Sequence, residues 1–100
     1  MKVVPENAEV HVRMLAFLHA FQRERGAPAS MYVSVPEEGL SGRDLALAIG
    51  LPLERIEGLF LNFKISDLGV LVRPGDRVAF VPYGTPASHP AFFGPFRTRG

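Results

Sequence analysis

The chain reads as an α+β domain in which one main helix packs across a mixed β-sheet. Three observations lead there. Apolar residues alternate with polar ones at Val10, Val12 and Met14, and again at Met31, Val33 and Val35, the two-residue period of strands with one buried face. A stretch from Ser41 to Gly50 carries helix start and stop signals. Arg73, Pro74, Gly75 and Asp76 then make a turn that delivers a last alternating segment, Val78 to Pro82.

Taken in order, the first strand gives way at Leu15, Phe17, Leu18 and Phe21 to spacings of three and four residues, which suit a helical turn. Periodicity alone also admits a single helix over residues 8–24. Gln22 to Ser30 is polar, holds Gly26 and Pro28, and reads as a loop. The second strand stops at Pro36 and is expected to pair antiparallel with the first. Ser41 with Asp44 three residues on is a variant capping box, since both side chains can meet free amides of a first helical turn. Leu45, Ala48 and Ile49 supply the apolar face, and Gly50 with Pro52 the stop. That stripe is short, so the helix needs a sheet to pack on. Leu59 to Leu61 reads as a brief buried strand, and Ile65 to Val72 can carry another. In the turn, Pro74 presets the first central dihedral and Gly75 accepts the positive one. Pro82 fits only the end of the last strand.

Composition narrows the function classes. A chain of 100 residues with 47% hydrophobic side chains supports one core rather than two. The expected division is a domain over residues 1–84 and a Pro- and Phe-containing tail over 85–100. A formal net charge of +1 leaves no footprint for nucleic acid or an anionic membrane. The sequence has no cysteine, which removes disulfides and thiolate chemistry. No apolar run approaches the roughly twenty residues of a membrane span, so a cytoplasmic protein is expected.

Several segments together resemble the MoaD/ThiS family, the ubiquitin-like β-grasp sulfur carriers of molybdopterin and thiamine biosynthesis. Val10 to Gln22, VHVRMLAFLHAFQ, resembles the family's opening strand and turn of helix. Val33 to Leu51 resembles the second strand, a PEG-type turn at Pro36 to Gly39, and the helix. Glu54 to Leu68 resembles the third strand and its loop, and RPGDRVAFVP, Arg73 to Pro82, the tight turn into the final strand. The resemblance covers about residues 9–83. It implies a β-grasp fold, no catalysis by the chain itself, no cofactor, and as partners an adenylating activating enzyme and a sulfur-accepting synthase.

Two departures from the family bear on function. Where the family has an Asn-Gly pair, this chain has Asn62 and Phe63, which is expected to reshape the loop and leave Phe63 exposed. The family's C-terminal Gly-Gly is missing: Gly84 is followed by Thr85, and the sequence closes on Arg97, Thr98, Arg99 and Gly100. Gly100 is therefore the candidate sulfur acceptor, with only one of the two glycines. Pro86, Pro90 and Pro95 keep the tail from being helical, while Phe92, Phe93 and Phe96 give it aromatic surface that calls for cover. Those rings are expected to dock on the domain, on a second copy in a homodimer, or on a partner. An alternative role follows, a non-catalytic interaction module that uses this tail.

Phe63, Lys64, Arg73 and Arg77 are the candidate partner surface, the three cations forming a small basic patch. His11, His19 and His89 have no carboxylate at metal-ligand spacing. Glu37, Glu38, Asp44, Glu54 and Glu57 sit at turns and helix ends, where acids need no chemical role. Ser30, Ser34 and Ser41 have no base nearby in sequence.

Overall fold

The computed structural model describes residues 8–83. The first strand, β1 (Glu9–Met14), is followed by helix α1 (Phe17–Glu24) and strand β2 (Ser30–Ser34). Next come the two-residue strand β3 (Leu40–Ser41), helix α2 (Gly42–Ile49) and a 3₁₀ turn at Leu53–Arg55. Strands β4 (Ile56–Leu61), β5 (Lys64–Ser66), β6 (Leu71–Val72) and β7 (Arg77–Pro82) complete the order. The main sheet has five strands in the order β2-β1-β7-β4-β5, and β3 pairs with β6 apart from it. β1 and β7 run parallel, and the other neighbours are antiparallel, so the sheet is mixed.

Residues 8–24 are thus strand and then helix, not one helix. Val10, Val12 and Met14 all point into the core, an arrangement a helix cannot give at a spacing of two. The chain turns sharply at Ala16, whose φ is 48°. The stretch from Gln22, read as a loop, is still helical through Glu24. Gln22 is 0% exposed. Its Nε2 donates to the Pro28 carbonyl at 2.8 Å and its Oε1 accepts from Arg25 Nε at 2.7 Å, so a polar residue is buried with both ends satisfied. Arg25 continues to the carbonyls of Ile49 (2.8 Å) and Gly50 (3.2 Å), which ties the end of α1 to the end of α2.

The helix α2 begins as its capping signal predicts. Ser41 Oγ accepts from the Asp44 amide at 3.0 Å, and the Gly42 and Arg43 amides donate to the Val70 and Leu68 carbonyls. Gly50 closes it in the left-handed conformation. The buried face is Gly42, Leu45 and Ala46; Ala48, expected inside, is exposed, because at about 100° per residue it lies nearly opposite Ala46, off the far side of that face. Both helices are eight residues long, so α1 is as substantial as the predicted main helix.

The core lies between the helices and one face of the sheet, with Leu18 and Leu45 packed over Val10, Val12, Leu59 and Phe80. The predicted strand at Leu59 to Leu61 starts earlier, at Ile56, and only its first part is buried. The Arg73–Asp76 turn forms as read: the Asp76 amide donates to the Arg73 carbonyl at 3.1 Å, with Gly75 at φ 92°. Among the described residues no helix is long and apolar enough to cross a membrane.

Candidate protein-docking site

Two turns meet at one end of the sheet. The β4–β5 hairpin has a two-residue loop, Asn62 and Phe63, with φ of 50° and 72°. That is the pair of positive dihedrals an Asn-Gly hairpin adopts, so the loop is not reshaped by the aromatic residue. Asn62 holds it. Its amide donates to the Arg77 carbonyl at 2.8 Å, its Oδ1 accepts from the Arg77 amide at 2.9 Å, and its Nδ2 donates to Asp76 Oδ1 at 3.0 Å. The other oxygen of Asp76 accepts from the Arg73 amide at 2.8 Å. The hairpin and the Arg73–Asp76 turn are thereby joined, and the position of Phe63 is set by both.

The Phe63 ring is 79% exposed, and the Arg77 guanidinium stands 5.9 Å from its centroid. Lys64 follows it, exposed, and Arg73 is exposed on the adjoining turn. Of the four predicted surface residues, the structure stacks Phe63 and Arg77 on each other and leaves Lys64 and Arg73 on the flanks.

Strand register extends the surface. Ala79 lies opposite Phe60 on one side and Arg13 on the other, and Arg77 lies opposite His11. These residues share the face of the sheet that points away from the helices. A groove of about 360 Å³ runs there, bounded by His11, Arg13, Leu15, Phe60, Phe63, Arg77, Val78 and Ala79. Its walls combine two aromatic rings with two guanidinium groups and no carboxylate. A neighbouring concavity of about 310 Å³ is bounded by Glu9, His11, Tyr32, Gly75, Asp76 and Arg77, which places two acids just beyond the basic groove.

Phe60, Arg13, Ala79 and His11 were not among the predicted site residues. The signal was present in the alternation: once Val10 and Val12 point inward, His11 and Arg13 must point outward. Phe60 was assigned to a buried segment but is half-buried on the groove side. His11, read only as a structural or surface residue, stacks on Tyr32 with centroids 4.8 Å apart and shares a hydrogen bond with Ser30 Oγ at 3.0 Å. This contact spans two strands and gives Ser30 the neighbouring imidazole that its sequence surroundings did not show. Among the described residues, no group of three His, Asp or Glu gathers to hold a metal. Gly100, Phe92, Phe93, Phe96 and His89 lie outside the described residues.

No protein-family model matches the chain, and no curated protein does. Solved structures that resemble it include two from one organism. SAMP1 from Haloferax volcanii is 18% identical with a TM-score of 0.55, over 74% of this chain and 93% of that one. The HVO 2177 protein of Haloferax volcanii is 17% identical with a TM-score of 0.52, over 78% of this chain and 85% of that one. The likeness is one of fold, and with the strand order above it identifies an α+β, ubiquitin-like β-grasp domain.

Proposed function

We propose that the chain is a non-catalytic β-grasp protein of the sulfur-carrier kind, akin to the MoaD/ThiS proteins of molybdopterin and thiamine biosynthesis. It meets an adenylating activating enzyme through the groove face and hands it the segment after Tyr83. The observation that supports this most directly is Phe63. A bulky residue at φ 72° carries backbone strain of about 1–2 kcal/mol, and a ring left 79% exposed recovers little of it by burial. Strain kept for an outward-facing aromatic group, stacked with an arginine beside a groove of mixed apolar and basic side chains, points to contact with another protein.

The sheet order supports the second half of the reading. β7 is the central strand, so the chain after Tyr83 leaves from the middle of the sheet. The groove lies at the start of β7 and this exit at its end, about 17 Å away at the usual rise per residue. An enzyme seated on the groove is within reach of the departing segment. The chemistry asked of that enzyme is attack of the Gly100 carboxylate on ATP, releasing pyrophosphate, then displacement of AMP by sulfide to leave a thiocarboxylate.

The test is intact mass of the full chain after incubation with ATP, sulfide and an activating enzyme from the same cell. The reading expects the mass change of one sulfur replacing one oxygen, lost in Gly100→Pro. An unchanged mass overturns it. An unchanged mass together with oligomers or partners that disappear on deletion of residues 85–100 supports the alternative, an interaction module working through Phe92, Phe93 and Phe96.

A further inference from the structure

The exposed edge of β2 has the pattern of a strand that pairs with a copy of itself. On its inner side, β2 faces β1 in the register Val10 with Val33 and Val12 with Met31. The Met14 amide donates to the Ala29 carbonyl at 2.9 Å and the Val35 amide to the Ala8 carbonyl at 3.1 Å. In an antiparallel ladder bonded pairs alternate, so Ala29, Met31, Val33 and Val35 spend their backbone groups on β1. Ser30, Tyr32 and Ser34 turn theirs the other way. Among the described residues no strand pairs with β2 on that side, since β2 ends the sheet order.

Open edges are usually blunted by charge, proline or a bulge. This one is not: its five residues, Ser-Met-Tyr-Val-Ser, carry no charge and no proline, and its pairing with β1 is regular. Pro28 and Pro36 lie just outside it and lack amide hydrogens, which limits the template to three residues.

We infer that β2 is a self-association edge, at which a second copy adds its own β2 antiparallel about a two-fold axis through Tyr32. The sequence is self-complementary about that centre. Tyr32 meets Tyr32 of the other copy, Ser30 meets Ser34, and Met31 meets Val33 on the opposite face. Each of the three outward-facing pairs exchanges two backbone bonds, about six in all. The half-buried Met31 and Val33 gain cover, and the exposed Tyr32, already held against His11, gains an aromatic neighbour. Charges in the adjoining strand agree with this register. Arg13 lies opposite Ser30 and Glu9 opposite Ser34, so each row across the joint runs Arg13, Ser30, Ser34, Glu9. Opposite charges end each row and no like charges face each other. The contact is isologous and closes on itself, joining two five-stranded sheets into one continuous sheet.

The full chain is tested by sedimentation over a concentration series, with three variants. Tyr32→Pro removes a donor that the monomer's own ladder does not use, so it leaves thermal stability close to the parent while weakening the dimer roughly 30-fold or more, for two lost bonds per dimer and the misfit ring. Because the chain has no cysteine, a single introduced thiol cross-links only between copies. Tyr32→Cys is expected to give a disulfide dimer on mild oxidation, whereas Ser30→Cys alone is not, its mate being about four residues, or ~13 Å, along the other strand. A chain that stays monomeric at every concentration overturns the inference and leaves the edge to an extended segment of another protein. A dimer that survives Tyr32→Pro and cross-links equally through Ser30→Cys overturns it in favour of a different interface.

Discussion

Phe63 and Gln22 each break an ordinary preference of their residue type, and in each case the neighbours explain how. Phe63 keeps a left-handed backbone because Asn62 is anchored by three hydrogen bonds to Asp76 and Arg77. Replacing the ring by hydrogen removes the strain and little else, since Arg77 contributes only a solvated contact. Phe63→Gly is therefore expected to stabilise the fold by about 0.5–1 kcal/mol in urea unfolding while weakening capture of the partner enzyme. A variant that is less stable, or that binds unchanged, refutes the docking role of the ring. Gln22 is a polar side chain at 0% exposure, acceptable because the Pro28 carbonyl and Arg25 satisfy it. Gln22→Leu leaves that carbonyl without its donor and should cost about 1–3 kcal/mol, read from the midpoint of chemical denaturation.

The helix α2 shows how local signals and tertiary partners divide the work. Its start is written in Ser41, and Ser41→Ala should lose about 1 kcal/mol of stability. Its approach to the sheet depends on Gly42 having no side chain. A β-carbon there stands 2.5 Å from Leu59 Cδ2 and 3.2 Å from the Leu68 carbonyl, and Leu59 is fully buried. Gly42→Ala thus trades a better helix former for a clash, a net loss expected at about 1–2 kcal/mol by thermal melting. The far end of α2 is held by Arg25, the residue that caps the end of α1, which no pattern within α2 reveals.

The architecture explains why the last strand matters to the whole. β7 lies between β1 and β4, and its Val78, Phe80 and Val81 are all buried. The outer groove exists because β1, β7 and β4 bring residues more than sixty positions apart into adjacent rows. We propose that the domain ends at residue 84, the boundary expected from the sequence. The chain truncated there is expected to keep a cooperative melt and the same far-ultraviolet circular dichroism, because the described residues by themselves pack helices and sheet around one core. Loss of cooperativity in that variant moves the boundary into the tail.

Alternation, capping and turn chemistry are local properties, and they alone determined β1, β2, α2, the proline–glycine turn and β7. Asn62 and Phe63 stood out only as a departure from the Asn-Gly loop of a resembled family, not as an intact hairpin turn: whether a bulky residue tolerates a left-handed backbone depends on the Asp76 and Arg77 bonds that hold it. The groove was half legible, since the outward positions of each strand follow from its inward ones. Which outward positions become neighbours was decided by pairing across the sheet, where hydrogen-bond register, not sequence distance, sets what touches. Gln22 is the plainest case. Polarity assigned it to a loop, and only the tertiary structure supplied the carbonyl and guanidinium that make its burial favourable.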